Sequence, residues 1–530
     1  MNGNVLIRIL ATFGLLVVSL WVSLDVFTSG GNAVARFYTY AMAVCGVYGL
    51  LNARKAFFVL LFLTAYLDLF KRFMIFDSGV SRMDLYFVLG IAPATLAGIC
   101  GNILYQHVTG KLSARPGLKR LIPVIVILCA LGLVVSIFGG SDGGGKFRSV
   151  GDAVNGIVYI CLLFVVPVLF RTPEDLRHML RTLVIIYVPA ICYMLVHYFR
   201  GGIFDWEMDY VKSGLTIEAR QLSERIFRPF GTLNSAANAS MVFAAIVALC
   251  CSGLWNKADR NGKSLSLAIR WPLIPMTALA MFATYSRTGW VFAVVAVIAA
   301  FMLRYRGLTL AGYALSFTSI VVIVLSSPWL LKHRILNEIS EEVYAKKRTD
   351  GWAQTTNIST LNDRLEGYYS LVTQPDAWTP FGLRFSSVSE GIVRGKVATH
   401  DKFTDLLLDF GFVTIFIGAF FIGKYLWKLH SMLFEERDPL TRSIGTTCLA
   451  IGLAMTSGGL VNGAQFMTYP VNLFIWLNFS VVVSVWIYTR ERSLAEPPAA
   501  SPEPPPWIKN RLRAAAPGPA GVPVPSHAKA

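Results

Sequence analysis

About fourteen apolar runs follow one another along this chain, near residues 5–27, 33–51, 56–76, 84–106, 119–138, 153–170, 179–199, 235–254, 271–286, 288–303, 308–330, 404–427, 443–460 and 468–488. Most reach the ~20 residues that an α-helix needs to cross a ~30 Å hydrocarbon core. Backbone in lipid must satisfy its own hydrogen bonds, so runs of this length are expected to be helical. The predicted fold class is all-α: a polytopic transmembrane helix bundle of about 12–14 helices. Composition agrees, with 55% hydrophobic and 15% charged residues, against roughly 25% charged in soluble domains. The first run holds only Arg8 before Asp25. It is too long for a signal-peptide core and reads as a retained helix. The two runs flanking Ser286 are shorter and predict local thinning of the membrane.

The formal net charge of +17 would suit a nucleic-acid partner, but its distribution points elsewhere. Basic residues gather in alternate links between the runs. These are Arg54 and Lys55; Lys111, Arg115, Lys119 and Arg120; Arg171, Arg177 and Arg181; Lys257, Arg260, Lys263 and Arg270; Arg304 and Arg306; and Lys424, Lys428, Arg437 and Arg442. That is the positive-inside pattern, with the N-terminus in the cytoplasm, and no nucleic-acid partner is expected. Three of the opposite links, at Ser29-Gly-Gly, Asp77-Ser-Gly and Gly139 to Gly145, read as tight turns. All eight cysteines fall within apolar runs, which predicts neither a disulfide framework nor a cysteine metal site.

These features divide the chain into N-terminal transmembrane helices (1–199), a region with outward-facing arginine motifs (200–330), a large outer loop (331–403), C-terminal transmembrane helices (404–490) and a Pro/Ala-rich tail (491–530). The loop is long enough to need structure of its own. Ile335, Ile339 and Val343 predict an amphipathic helix over 333–348. Leu361, Leu365, Tyr368, Tyr369 and Val372 predict a second from about Thr360, carrying Arg364 and stopped by Pro375. The tail cannot build a core and reads as a disordered cytoplasmic segment.

Charges at the membrane edge are the best guide to chemistry, because a charge at the bilayer centre costs at least ~2.5–3.5 kcal/mol. Arg287 sits between two short apolar runs. It reads either as a cation gripping an anion or as a turn arginine snorkelling to headgroups. Arg228 precedes an inward-running helix in Arg228-Pro-Phe-Gly-Thr-Leu-Asn-Ser235. There Gly231 permits close backbone approach, and Asn234 or Ser235 is placed to cap the helix. Free N–H groups beside a guanidinium make an anion site, and simple capping is the plainer alternative. His400 lies at the foot of the next inward helix, either as a general base or as an exposed loop histidine. Arg384, Arg394 and Lys396 make its approach basic. Asp68, Lys71 and Arg72 lie toward the outer end of their run and are expected to reach the interface. His107, His178, His197 and His430 are scattered and form no ligand set. No P-loop, HExxH, GxSxG or Asp-rich metal loop occurs.

Four passages, in order, resemble the O-antigen ligase and O-antigen polymerase superfamily of bacterial membrane glycosyltransferases. They are Arg228 to Ser235, Tyr285-Ser-Arg-Thr-Gly-Trp290, Asn362-Asp-Arg-Leu-Glu366 with Pro380-Phe-Gly-Leu383, and Thr399-His-Asp-Lys-Phe-Thr-Asp405 running on to Gly411. The resemblance covers about residues 220–430. Asp401 stands where the family more often has Asn. The resemblance implies transfer of a glycan from undecaprenyl diphosphate to a sugar hydroxyl at the periplasmic face of the bacterial inner membrane. It implies no cofactor and no metal, because arginines stabilise the diphosphate leaving group by bidentate hydrogen bonds. By position, His400, Arg287 and Arg364 would be catalytic. Arg228, Arg384, Arg394 and Lys396 would bind substrate. Expected partners are the lipid-linked glycan, a glycan or lipid A core acceptor, membrane lipids and other polysaccharide-assembly proteins. The reaction is that of a polymerase or a ligase. The rival class is a polysaccharide or lipid-linked oligosaccharide flippase, which should show symmetric halves, broken helices and midplane charges.

Overall fold

The computed structural model describes residues 21–26, 28, 32–77, 84–110, 118, 122–123, 125–127, 158–213, 221–223, 226–227, 229–255, 265–284, 286–303, 371–383, 393, 402–436, 438–461 and 468–495. Outside them lie most of the first apolar run, most of 119–138, the whole of 308–330, the helix expected over 333–348, the part of the second expected helix before Leu371, and the tail from 496. Two compact units divide the chain, Met1–Ile487 and Tyr488–Ala530. Of the second unit, residues 488–495 are described, as helix.

The described architecture is a bundle of α-helices: α1 (Ala33–Leu51), α2 (Ala53–Arg72), α3 (Asp84–Val108), α4 (Leu162–Leu169), α5 (Pro173–Arg200), α6 (Asp205–Lys212), α7 (Ala236–Cys251), α8 (Leu265–Ala283), α9 (Arg287–Met302), α10 (Lys402–Glu435), α11 (Pro439–Val461) and α12 (Val471–Ala495). Short 3-10 turns join some of them, and among the described residues the one sheet is a two-stranded antiparallel ribbon of β1 (Gln221–Ser223) and β2 (Ile226–Phe227), absent from the sequence-based expectation. Among the described residues, Ala33–Leu51, Asp84–Val108, Pro173–Arg200 and Val471–Arg492 are long and apolar enough to cross a membrane. The surface fits that solvent. On α10, Phe412, Phe416, Phe420 and Trp427 are all exposed, a ridge of large apolar side chains facing outward. The chain is a helical membrane protein.

Local chemistry sets the helix ends. Thr172 caps α5 by accepting from the Asp175 N–H at 3.1 Å, and Pro173 occupies the first helical position. This helix starts six residues before the apolar run, because its first turn is polar. Asn52 caps α2 from a one-residue link after α1. Asp77, just beyond α2, accepts from the N–H groups of Val34 and Ala35 at 3.0 and 2.8 Å. The start of α1 and the end of α2 therefore share one face. At the other end of α2, Arg54 pairs with Asp175 at the start of α5.

One large hydrophobic core joins most of the helices. α1 and α2 pack on α3, α2 also on α5, and α5 on α8. α7 lies against α8 and α9, while α11 packs on α9 and α10. Within the first unit, the Ser484 hydroxyl of α12 donates to the Phe170 carbonyl at 2.9 Å.

Candidate functional site

The Asp77 face gathers a buried polar network that the sequence places only in part. Asp68, Lys71 and Arg72 were expected to reach the interface, and all three are instead buried inside the bundle. The reason is a partner on another element. Arg72 is 2% exposed, and its Nη1 is ion-paired with Glu207 Oε1 of α6, whose side chain is fully buried. The same guanidinium donates to the carbonyls of Gly231 at 2.7 Å and Leu233 at 2.5 Å. Its carbon lies 4.4 Å from the centroid of the Phe230 ring, a cation–π contact.

Glu207 is equally committed. Its Oε1 accepts from the Tyr193 hydroxyl at 3.0 Å, and its Oε2 accepts from the Phe204 N–H at 3.1 Å and lies 2.8 Å from His197 Nε2. The Phe204 bond is one half of a capping box and starts α6. Burial works to raise this carboxyl, but the His197 contact and the Arg72 charge outweigh it and hold Glu207 below the usual carboxylate value. Lys71 Nζ donates to Asn234 Oδ1 at 3.0 Å. Asp68 shares its electrostatic surroundings with the phenols of Tyr159, Tyr187, Tyr210 and Tyr469.

What this network grips is the first of the four passages. Residues 229–235 form a turn between β2 and α7, with Gly231 at φ +58° and the Leu233 N–H bonded to the Phe230 carbonyl at 3.1 Å. Of the two expected caps, Ser235 does the work, accepting from the Asn238 N–H at 3.1 Å. Arg228 itself lies outside the described residues.

The second passage arrives beside it. Ser286 precedes α9, and Arg287 is the first residue of that helix. The Ser240 hydroxyl of α7 donates to Ser286 Oγ at 3.1 Å. One turn on, a Cβ at Gly289 would stand 2.5 Å from the Ser240 Cβ, so only glycine lets the two helices close to this distance. Met241 and Phe292 both border Gly458 of α11. α7 and α9 thus run side by side in the same direction, with their N-termini together. The helix starts that follow Arg228 and carry Arg287 share one end of the bundle. A helix start carries N–H groups that have no partner within the helix; at α7 Ser235 takes that of Asn238.

The third and fourth passages meet each other. α10 breaks at Gly411, where φ is 77° and ψ is 163°. The N–H groups of Phe412 and Val413, freed by the break, donate to the carbonyls of Thr379 and Pro380 at 3.1 Å each. Leu371, Ala377, Leu383 and Val393 form a small core with Leu407 and Leu408 of the first limb of α10. The helix before Pro375 stops after Thr373. The second limb, 412–435, spans ~36 Å at 1.5 Å per residue, enough to cross a bilayer alone. His430, near its far end, lies 3.3 Å from the Leu303 carbonyl at the end of α9. The C-terminal ends of α9 and α10 therefore lie together. His400 precedes α10 by two residues in sequence. It lies outside the described residues, as do Arg364, Arg384, Arg394 and Lys396.

Sequence reasoning missed Glu207, which reads as an ordinary charge in a polar link, and set His197 aside as scattered. The available signal was the pair of cations at the end of the α2 run, which in lipid demands a buried partner. Comparison with protein-family models, with curated proteins and with solved structures finds no match to this chain.

Proposed function

We propose that this protein is a membrane glycosyltransferase that moves a glycan from undecaprenyl diphosphate to a sugar hydroxyl, as a polymerase or a ligase of cell-surface polysaccharide. The observation that carries this reading is the pairing of α7 and α9 with their N-termini together, the one led into by the Arg228 passage and the other opening on Arg287. Two helix starts and their arginines at one membrane edge suit a diphosphate whose charge grows as the anomeric C–O bond breaks. In this reading Arg228 and Arg287 receive the diphosphate, with Arg364 completing the set. His400 takes the proton of the acceptor hydroxyl as its oxygen bonds to the anomeric carbon, and the anomeric C–O bond breaks with its electron pair leaving on undecaprenyl diphosphate. Arg384, Arg394 and Lys396 draw in the anionic donor. The active side is the periplasmic face of the inner membrane.

The choice between polymerase and ligase rests on the lipid-linked glycans of cells lacking the protein. Single repeat units on undecaprenyl diphosphate with no long chains identify a polymerase. Long chains on the same lipid with a bare acceptor identify a ligase. One observation favours a second reading, transport of a lipid-linked oligosaccharide: the ionisable cluster of Asp68, Lys71, Arg72, Glu207 and His197 is buried in the bundle, as pathway charges are in transporters. His400→Ala separates the two. It abolishes glycan transfer in the enzyme and leaves export intact in a transporter.

A further inference from the structure

Arg72 and Glu207 form a buried ion pair that lies outside the arginine motifs. Arg72 ends α2 and Glu207 lies in α6, separated by 135 residues of chain. A buried ion pair is weak evidence for stability, since well-packed apolar side chains of similar volume do as well or better. Its contacts point to another use. Two bonds of Arg72 go to carbonyls of one short turn, at Gly231 and Leu233, and its planar face covers Phe230 of the same turn. Lys71, its neighbour, holds Asn234 at the end of that turn. Glu207 fixes the guanidinium from behind, and is itself fixed to α5 through Tyr193 and His197. A continuous chain of contacts thus runs from α5 through α6 and α2 to the turn that delivers the chain into α7. A guanidinium suits this task because its planar fork serves several acceptors at once, which an ammonium does not.

We infer that Arg72 and Glu207 are positioning residues that hold the Phe230–Asn234 turn, and through it the start of α7, in the register that receives the donor diphosphate. The inference rests on the glycosyltransferase reading for its ligand, and on the geometry alone for its effect on the turn. Arg72 touches no reacting atom; it acts through the turn.

The test uses the full-length protein in lipid nanodiscs. Two variants are compared with wild type: Arg72→Met combined with Glu207→Gln, which removes both charges while keeping an acceptor for the Phe204 N–H, and Arg72→Lys. Two quantities are read: hydrogen–deuterium exchange across residues 226–240, and binding of undecaprenyl diphosphate without a sugar. The expected result is exchange at least ten-fold faster in 230–235 with the α11 peptides unchanged, and diphosphate affinity at least ten-fold weaker, in both variants. Unchanged exchange in the turn overturns the inference. Faster exchange with undiminished diphosphate binding overturns the link to the donor. If wild type binds no undecaprenyl diphosphate while exchange in the turn still rises, the glycosyltransferase reading fails and the positioning of the turn stands. Should the double variant not fold, Arg72→Lys alone decides, because a lone ammonium keeps the charge and loses the fork.

Discussion

Replacing Gly411 with alanine should release the 379–383 segment from α10 while leaving the helix itself intact. A Cβ at this position would stand 2.3 Å from the Pro380 carbonyl oxygen and 2.4 Å from the Gly382 nitrogen, far inside contact distance. The backbone there, at φ 77° and ψ 163°, belongs to a region that is essentially glycine's alone, and holding another residue in it costs about 1–3 kcal/mol. Relief requires giving up the bonds from Phe412 and Val413 to Thr379 and Pro380, worth about 1 kcal/mol each. Alanine therefore shifts the balance away from the docked arrangement by that strain plus its preference for a straight helix, about 2–4 kcal/mol, or roughly one and a half to three orders of magnitude in population. A straight α10 absorbs the change, since alanine is favoured over glycine in a helix by about 0.8–1.0 kcal/mol. The assay is a cysteine pair, Thr379→Cys with Phe412→Cys, at positions joined by a 3.1 Å backbone bond. Oxidation should link the pair efficiently in the Gly411 parent and hardly at all with Gly411→Ala, as read by mass spectrometry. Equal cross-linking in the two backgrounds would refute the reasoning, because the kink would then not depend on glycine.

Three further outcomes follow from the same geometry. Arg287→Ala should abolish glycan transfer with the protein retained in the membrane, and Arg287→Lys should rescue it poorly because an ammonium lacks the bidentate fork; complementation of a deletion strain reads both. Gly289→Leu should drive α9 off Ser240, breaking the contact that holds the two helix starts together, and lower thermal stability by about 1–3 kcal/mol, the usual cost of overpacking. Glu207 has its folded-state pKa below the ordinary 4.5, so its contribution to stability is complete above that value and is lost as pH falls through the depressed one. Melting temperature followed from pH 7 downward should fall less steeply on the acid side in Glu207→Gln than in wild type.

The sequence carried the fold class and the local signals well, because both depend on short-range chemistry. Among the described residues, apolar runs became helices, a helix ended at Thr373 ahead of Pro375, and Ser235 capped α7 as one of two residues offered for that place. What escaped was anything that depends on pairing across the chain. Arg72 looked free to snorkel because Glu207, its partner, lies 135 residues away in a link with no periodicity to mark it. The break at Gly411 was invisible because the glycine lies inside one largely apolar run, 404–427, and a lone glycine in such a run reads equally well as continuous helix. The closeness of α7 and α9 depends on Gly289 meeting Ser240, a complementarity between two helices that neither sequence displays alone.

The most direct measurement reconstitutes the purified protein in liposomes that carry the lipid-linked glycan accumulated by cells lacking it, together with the acceptor, and follows undecaprenyl diphosphate release alongside glycan transfer. One undecaprenyl diphosphate should be released for each glycosidic bond formed, unaffected by chelator and abolished by His400→Ala. Glycan that crosses the bilayer still joined to its lipid, with no diphosphate released, would contradict the glycosyltransferase reading and identify a transporter.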